Sequence, residues 1–386
     1  MAPELALETL NELPAQSVVL DPMSGSGTVV RQAAELGHQS FGFDMDPLAV
    51  LMSKVWTTPV DDNLIKEVGE AIIEQAQALD LNEIVLPWID DDQETNDFVK
   101  YWFGKRQRND LRRIAFVLDN FGKRRFSRKK HDAADVIRIA LSRIIVTKEQ
   151  SASLARDTSH SRPHKVTEAS DYDVIDGLKR SILQVRKRLN DNPPIGVANI
   201  RRGDARSLRQ LGDETIDAVL TSPPYLNAID YLRGHRMSLV WLGYRLSELR
   251  DIRSNSIGAE RAPDKPIPSD LLEPIQLALC DTTNLPKRYA SMIQRYSEDL
   301  FRMTAEIARV TRVGGLATFV VGNSCLKGTF IQNSEGVATA ATILGFRELN
   351  IVERELPSGS RYLPITESGA LGKRMRTETI LSFGRI

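Results

Sequence analysis

Four consecutive residues, Ser222-Pro223-Pro224-Tyr225, could do chemistry, because they place a hydroxyl, two prolines and an aromatic ring directly after the apolar run DAVLT. The prolines fix the backbone and remove two amide donors, so they predict a stiff, extended strand tip with uncommitted carbonyl oxygens. The tip would present the Ser222 hydroxyl oxygen and the carbonyls as acceptors, and Tyr225 as a ring for stacking. A polar group is therefore expected to dock there.

A glycine-rich turn, Ser24-Gly25-Ser26-Gly27-Thr28, lies between the apolar run SVVLD and a periodic stretch typical of a helix. A phosphate-binding P-loop would need a lysine before the threonine, and Gly27 stands there instead. A dinucleotide-binding turn would need a third glycine at the position of Val30. The remaining interpretation is a turn that packs against a nucleoside-sized ligand, with a purely structural tight turn as the alternative.

An acidic side chain ends the next predicted strand, since the run QSFGF leads to Asp44, and Asp46-Pro47 begins another helix. A carboxylate at the tip of the second strand of a βαβ unit can accept hydrogen bonds from ribose hydroxyls. Asp44, seventeen residues after Gly27, is placed for that role.

These segments require a sheet whose parallel strands end at one edge. Residues 17–46 have the order strand, glycine-rich turn, helix and strand, which is one βαβ unit and the start of a doubly wound sheet. Later strands are predicted in VANIRRGDARSL, ETIDAVLTSPPY, VGGLATFVVGNS after its Gly-Gly turn, and an antiparallel pair, FRELNIVEREL with RTETILSFGR. The predicted fold class is α/β, with a mostly parallel, doubly wound, Rossmann-like sheet and a helical insertion.

The insertion, residues 61–196, shows helical periodicity, charged faces and one polar loop at residues 151–170. Although the chain has 51 basic and 51 acidic residues, twelve basic residues against two acidic ones lie between Lys100 and Lys130. This polarity favours a phosphate-binding surface, with a simply solvated helical face as the alternative for any single arginine. The candidates are Lys105, Arg106, Arg108, Arg112, Arg124, Arg125, Arg128, Lys129, His160, Arg162 and His164.

Composition excludes several classes of protein. With 41% hydrophobic and 26% charged residues, the chain has a globular balance, and no apolar run approaches the roughly 18 residues that cross a bilayer. The acidic start MAPELALETLNEL lacks the features of a secretory signal, so a cytoplasmic protein without membrane contact is expected. Cys280 and Cys325 form no CxxC pair and the five histidines are scattered, so neither a disulfide nor a metal site is predicted.

The segment LDPMSGSGTVVRQAAELGHQSFGFDMDPLA resembles the S-adenosylmethionine-binding motif of the amino-methyltransferases that modify DNA bases. In that motif an Asp-Pro-x-x-Gly-x-Gly-Thr turn leads to Asp-x-x-Pro, and TSPPY resembles the catalytic motif of the same family. With GDARSL and the final strands, the resemblance covers most of residues 1–60 and 197–386. It implies a methyltransferase domain in two parts, 1–60 and 197–386, around a helical insertion at 61–196 that would recognise DNA.

The resemblance implies S-adenosylmethionine as the cofactor and a flipped-out base of double-stranded DNA as the substrate. Methyl transfer to an exocyclic amine needs acceptors that draw its lone pair out of the ring, and Ser222 and the carbonyl of Pro223 would supply them. Pro224 would keep the tip rigid, and Tyr225 would stack on the base. In the family an acidic residue after the third strand, here Asp204, faces the cofactor's adenine. The residues expected at the cofactor are Asp21, Pro22, Ser24, Gly25, Gly27, Thr28, Asp44, Asp46, Asp204 and Thr221.

Serine at the first position of the catalytic motif favours N4 of cytosine as the target, because the family has this form more often in cytosine-N4 enzymes; adenine N6 is the second choice. Methylation of cytosine C5 is not expected, since it needs a thiolate that usually follows proline, and neither Cys280 nor Cys325 does. An RNA base methyltransferase and a catalytically silent DNA-binding protein of the same fold remain as alternatives.

The resemblance also implies a role in restriction-modification, with a cognate restriction endonuclease as partner. A further cofactor-contacting segment is expected just upstream of a sequence such as APELALETL, which here follows Met1 directly. The sequence indicates no particular oligomeric state.

Overall fold

A computed structural model describes residues 3–156, 163–226, 230–258, 267–283, 285–326, 328–355 and 377–386. The chain divides into two compact units. Unit 1 comprises Met1–Ser53, Gly196–Ala228 and Arg253–Ile386, and unit 2 comprises Lys54–Ile195 and Ile229–Ile252. The last of these segments was predicted as part of the second methyltransferase segment, but it groups with the helices of unit 2.

The strands are β1 (Val18–Asp21), β2 (Gln39–Asp44), β3 (Ala155–Arg156), β4 (His164–Lys165), β5 (Ala198–Arg202), β6 (Ile216–Thr221), β7 (Thr311–Gly322), β8 (Ser324–Leu326), β9 (Thr329–Ile331), β10 (Phe346–Glu355) and β11 (Thr377–Arg385). The helices are α1 (Pro3–Asn11), α2 (Thr28–Glu35), α3 (Pro47–Thr57), α4 (Asp62–Ala78), α5 (Pro87–Asp90), α6 (Gln93–Trp102), α7 (Lys105–Lys123), α8 (Arg128–Arg143), α9 (Val174–Asp191), α10 (Leu232–Leu239), α11 (Leu246–Ser254), α12 (Ser269–Leu279), α13 (Lys287–Val310) and α14 (Asn333–Ile343). Short 3-10 helices lie at Leu81–Glu83 and Val240–Leu242.

Unit 1 contains a seven-stranded sheet in the order β10-β11-β7-β6-β1-β2-β5. Its five strands from β7 to β5 are parallel, and β11 runs antiparallel to both β7 and β10. From β1 the chain builds outward through β2 to β5, and then returns to the other side of β1 with β6 and β7. The boundary between β1 and β6 is therefore the topological switch point, where ligands bind at the carboxyl ends of the strands in sheets of this kind.

Helices cover both faces of this sheet. Val19 and Leu220 pack with residues of α1 and α2 in one buried cluster, whereas their neighbours Leu20 and Val219 pack with residues of α12, α13 and α14 in another. Successive side chains of a strand point to opposite faces, so the two clusters lie on opposite sides of the sheet. The predicted doubly wound, mostly parallel, Rossmann-like α/β fold is confirmed.

The late strands also pair as predicted, but the Gly-Gly turn does not precede its strand. Strand β7 begins at Thr311, and its register with β6 shifts between Ile216 and Ala218. Gly314 has φ +75°, a left-handed conformation that suits glycine, so the two glycines form an irregularity within the strand.

Unit 2 is mainly helical, and its core joins α4, α7, α8 and α9. Each of these helices buries aliphatic residues at helical spacing, including Ile72, Leu111, Ile137 and Leu178. The region also contains a two-residue antiparallel ladder between β3 and β4, which strand alternation did not reveal. In the ranges that the structure describes, no helix is long and apolar enough to cross a membrane.

Gly196, just before β5, is a position where a side chain should destabilise the fold. It has φ +84°, and a Cβ atom at this position would lie 2.1 Å from the carbonyl oxygen of Ala34. We expect Gly196→Ala to lower the free energy of unfolding by about 2–5 kcal/mol, because left-handed strain is joined by displacement of packed backbone. Urea denaturation followed by circular dichroism measures this loss.

Gly37→Ala is the matched control. Its φ is +82°, but a Cβ there would meet no atom within 4 Å. Gly37→Ala should therefore lower the free energy of unfolding by about 1–2 kcal/mol, from backbone strain alone. Equal losses of unfolding free energy in Gly196→Ala and Gly37→Ala would contradict the close approach of Gly196 to Ala34.

Candidate active site

A buried hydrogen bond joins the carboxyl ends of β1 and β6. The Thr221 hydroxyl donates to Oδ1 of Asp21 at 2.7 Å, and the backbone N–H of Met23 donates to the same oxygen at 3.2 Å. Asp21 is 4% exposed and Thr221 is fully buried. Because Asp21 opens the glycine-rich segment and Thr221 precedes Ser222, this contact brings the two predicted motifs together.

Burial of the Asp21 carboxyl disfavours its ionised form. Burial raises its pKa to about 6 from the ordinary 3.8, while the hydrogen bonds from Thr221 and Met23 act in the opposite direction. The charge of Asp44 adds to the increase. The carboxylate is thus ionised at neutral pH at the expense of stability, and a positive charge beside it would be favourable.

The glycine-rich turn is closed by backbone hydrogen bonds. The N–H of Gly27 donates to the carbonyl of Ser24 at 2.8 Å, and the N–H of Ser24 donates to the carbonyl of Phe43 at 2.8 Å. A Cβ at Gly27 would lie 2.9 Å from Oγ of Ser53, whereas a Cβ at Gly25 would meet no atom within 4 Å. Gly27 is therefore required for packing, while the space beside Gly25 is open.

Asp44 connects this turn to the end of β2. Its Oδ2 accepts from the N–H of Gly25 at 2.9 Å, and its Oδ1 accepts from the N–H of Asp46 at 2.9 Å. Asp46 serves the next helix instead, because its Oδ1 accepts from the N–H of Leu48 at 2.8 Å.

Ser53 is a residue of this region that the sequence patterns missed. Its hydroxyl donates to the carbonyl of Gly25 at 2.9 Å, and its oxygen lies 3.4 Å from that of Ser24. It is fully buried within α3. A serine inside a predicted helix carries no signal of such a contact, since only the tertiary packing brings it to the turn.

The Ser222-Pro223-Pro224-Tyr225 tip is tied to neighbouring segments at both ends. The Ser222 hydroxyl donates to the carbonyl of Val320 at 2.9 Å, so its proton is committed and its oxygen lone pairs can accept. The hydroxyl of Tyr296 donates to the carbonyl of Pro224 at 3.0 Å. Burial raises the pKa of Tyr296, which keeps it protonated as a donor.

Pro223 lies at a buried position of the tip. Within the described part of the chain, no group donates a hydrogen bond to its carbonyl. Of the two proline carbonyls, the structure commits that of Pro224 to Tyr296, and the role of the Pro223 carbonyl as an acceptor stays a prediction.

Asp204, the residue predicted to face the cofactor's adenine, lies in an ion-paired group. Arg206 Nη2 is 2.8 Å from Asp204 Oδ2, and Arg206 Nη1 is 2.5 Å from Oδ1 of the buried Asp299. Asp299 Oδ2 also accepts from the N–H of Gly258 at 2.8 Å. The carboxylate of Asp204 is thus oriented by Arg206, a residue that the sequence reasoning did not select.

The predicted phosphate-binding residues of unit 2 fall into two groups. Arg112 forms two bonds to Asp90, at 2.7 and 2.8 Å, and Arg106 pairs with Asp173 at 3.0 Å. Arg128 pairs with Asp132 at 3.2 Å but stays 81% exposed. The exposed residues for which the described chain supplies no ion pair include Arg124, Arg125, Lys129 and Lys105.

The remaining candidates differ in what the structure describes. Arg108 is half-buried on α7, and His164 is exposed on β4. His160 and Arg162 lie outside the described residues. Arg112 therefore has a structural role in unit 2, whereas the stretch around Arg124 and Arg125 presents its charge to solvent.

Neither cysteine has the setting of a nucleophile. Cys280 is buried and Cys325 is half-buried, and both are free thiols. Burial and the nearby charge of Asp281 raise the pKa of Cys280, which disfavours its thiolate. In the described ranges, no group of three His, Cys, Asp or Glu residues could hold a metal ion.

Comparison with known proteins gives two similar curated sequences. The chain is 24% identical over 257 residues to the type II methyltransferase M.BsoBI of Geobacillus stearothermophilus, in an alignment that spans 61% of this chain and 49% of that protein. It is 22% identical over 413 residues to the type II methyltransferase M.MvaI of Kocuria varians, covering 99% of this chain and 88% of the other. No family model matches the chain.

Among solved structures, the chain is similar to a SAM-dependent methyltransferase from Methanosarcina mazei. The identity is 10%, the match covers 100% of this chain and 98% of that chain, and the TM-score is 0.35. The rRNA methyltransferase AviRa from Streptomyces viridochromogenes matches with 10% identity, 99% and 85% coverage, and a TM-score of 0.30. The assignment of the fold thus depends on the strand order of unit 1 itself.

The stability of the protein should depend on pH through the Asp21 carboxyl. Its pKa lies above the unfolded value, so its contribution to stability is complete below about pH 4 and is lost as the pH rises through about 6, by about 3 kcal/mol in total. Asp21→Asn keeps an oxygen that can accept from Thr221 and Met23 but cannot ionise. The variant should therefore gain stability relative to the wild type by about 3 kcal/mol between pH 4 and pH 7.

Urea denaturation at a series of pH values measures this relative change, because other titrating groups cancel in the difference. Asp270→Asn, at an exposed position of α12, controls for the same chemical replacement. A difference between Asp21→Asn and wild type that stays constant with pH would mean that the Asp21 carboxyl is not desolvated.

Proposed function

We propose that this protein is a DNA methyltransferase that transfers a methyl group from S-adenosylmethionine to N4 of cytosine in a flipped-out base, with N6 of adenine as the second candidate. The observation that carries the proposal is the hydrogen bond from Thr221 to Asp21, which brings the glycine-rich turn and the Ser222–Tyr225 tip together at the switch point. Similarity to two proteins named type II methyltransferases supports the same class of reaction.

The residues at the switch point fit S-adenosylmethionine by their donor and acceptor chemistry. The open space at Gly25 allows close approach to the backbone, and the Asp44 carboxylate at the end of β2 would accept hydrogen bonds from ribose hydroxyls. Asp21 provides a buried negative charge that a cationic ligand would compensate. When bound, the cofactor supplies an electrophilic methyl group on a positively charged sulfur. Pro22, Thr28 and Asp204 complete the proposed cofactor set.

The catalytic tip supplies fixed acceptors for the target amine. The Ser222 oxygen and the carbonyl of Pro223 would each accept one N–H of the amine, which draws the nitrogen lone pair out of conjugation with the ring. As the amine gains the methyl group, it would release one of these protons to water. Since the Ser222 proton is held by the carbonyl of Val320, the oxygen would accept from the amine without rearrangement. Tyr225 would stack on the flipped base.

Unit 2 would bind the DNA backbone through its exposed basic residues. Arg124, Arg125, Arg128 and Lys129 lie between α7 and the first turn of α8 and present their charge to solvent. Such contacts neutralise phosphates and position a duplex without reading its sequence. We further propose a cytoplasmic restriction-modification enzyme with a cognate endonuclease, since both similar curated proteins are type II methyltransferases.

The first test of this function is methylation of mixed duplex DNA and total RNA by the purified protein with labelled S-adenosylmethionine. We expect N4-methylcytosine in the DNA after nucleoside digestion and mass spectrometry. Ser222→Ala should lower kcat by about 100-fold, because one fixed acceptor of the amine is lost. Ser291→Ala, on the surface of α13, should leave kcat unchanged.

Other products would separate the alternatives. N6-methyladenine would keep the mechanism and change the base, whereas label in RNA alone would overturn DNA as the substrate. Tight DNA binding without cofactor binding, measured by calorimetry, would identify a silent protein of the same fold.

The DNA surface has its own test. Replacing Arg124, Arg125 and Lys129 together by glutamine should weaken binding of any duplex and reduce the slope of log K against log salt by about 3. The control variant replaces Arg209, Lys287 and Arg347, exposed residues of unit 1, by glutamine and removes the same charge. Equal effects of the two variants in filter binding would show that net charge, and not this surface, attracts DNA.

A further inference from the structure

Leu226, which directly follows the Ser222–Tyr225 tip, has both of its backbone polar groups held by side chains. Its N–H donates to Oδ1 of Asn333 at 3.2 Å, and its carbonyl accepts from the Ser324 hydroxyl at 2.7 Å. The Leu226 side chain is fully buried. The backbone of Leu226 is therefore held by side chains rather than by a strand ladder.

Asn333 closes this network. Its Nδ2 donates to the Ser324 hydroxyl oxygen at 3.0 Å and to the carbonyl of Gly322 at 3.1 Å. Leu226, Asn333 and Ser324 thus form a ring of hydrogen bonds, and Gly322 connects the ring to the end of β7. Since Oδ1 receives an N–H and Nδ2 faces a carbonyl, only one orientation of the amide satisfies the ring.

Helix α14, which holds Asn333 of the ring, is packed in the core of unit 1. Asn333 is the first residue of α14 and is 0% exposed, and Val337 and Ala340 of the same helix are equally buried in the core of unit 1. A buried side-chain amide and hydroxyl are costly unless they are bonded, so these groups keep their partners.

The tip needs such an anchor for a stereochemical reason. Proline fixes φ but leaves ψ free, so the two prolines alone do not set the direction of the chain after Pro224. The bonds from Ser222 to Val320 and from Tyr296 to Pro224 hold the first part of the tip. The ring around Leu226 holds its last part.

We propose that Asn333 and Ser324 are positioning residues, which fix Leu226 and thereby hold the Ser222 oxygen and the Pro223 carbonyl in place for the target amine. The inference rests on the proposed methyl transfer, but it assigns a role to two residues far along the chain from the catalytic tip. Neither residue touches the reacting atoms, so its loss should affect the chemical step and not cofactor binding.

The test compares Asn333→Ala and Ser324→Ala with wild type at a temperature where all are folded. We expect kcat to fall by about 10- to 100-fold, because displacement of the acceptors by about 1 Å is costly for the reaction. The dissociation constant for S-adenosylmethionine, measured by calorimetry, should stay within about twofold of wild type. Ser324→Ala, which removes the donor to the Leu226 carbonyl, is the variant to use if Asn333→Ala prevents folding.

Ser334→Ala is the matched control. Ser334 is the next residue of α14 and is similarly buried, but its hydroxyl bonds to Asn323 at 3.1 Å and not to Leu226. It should show wild-type kcat. Equal kcat losses in Asn333→Ala and Ser334→Ala, or no loss in either, would overturn the positioning role.

Hydrogen exchange separates this inference from the proposed function. Peptides that span residues 222–226 report the amide of Leu226, which should exchange at least tenfold faster in Asn333→Ala than in Ser334→Ala or wild type. If wild type transfers no methyl group, the proposed function fails, while faster exchange still supports the anchor. Unchanged exchange in Asn333→Ala would overturn the anchor whether or not the protein is active.

Discussion

The hydrogen bond between the Thr221 hydroxyl and the Asp21 carboxylate is the contact on which the candidate site depends. It joins positions 200 residues apart in the chain, at the boundary where the strand order of the sheet reverses. Parallel pairing of β1 with β6 brings both residues to the same edge, and burial makes any unpaired polar group there costly. The turn that would hold the cofactor and the tip that would hold the base are therefore fixed relative to each other by the core of unit 1.

At this edge of the sheet, buried and half-buried polar side chains each bond to a backbone atom. Asp44 holds the glycine-rich turn, Tyr296 holds Pro224, and Asn333 with Ser324 holds Leu226. The prolines limit the conformations of the tip, and the side chains select one of them. Fixed acceptors need no rearrangement when charge develops in a reaction, whereas the desolvated carboxyl of Asp21 lowers stability at neutral pH.

In unit 2 the basic residues that lie close together in sequence have different surroundings in the structure. Arg112 and Arg106 are paired with Asp90 and Asp173, acids that lie elsewhere in the sequence, although Arg106 stays 63% exposed. Arg124 and Arg125 are exposed and have no ion pair in the described part of the chain. A count of charges along the chain cannot separate these groups, because ion pairing depends on which helices pack together. Contact with DNA is therefore expected of the exposed stretch between α7 and α8 rather than of the basic cluster as a whole.

The sequence by itself determined the class of fold, the paired late strands, and the glycine-rich turn and proline-rich tip, because these depend on local periodicity and on the backbone limits of glycine and proline. Its placement of the Gly-Gly pair before β7 was wrong, since the two glycines lie within that strand. Residues 229–252, which it assigned to the second methyltransferase segment, group with the helices of unit 2 through packing across the chain. Only the tertiary structure decided that Ser53, Arg206, Tyr296 and Asn333 support the candidate site. Each is an ordinary helix or loop residue in sequence, and each meets its partner through contacts between distant segments, which no local pattern encodes.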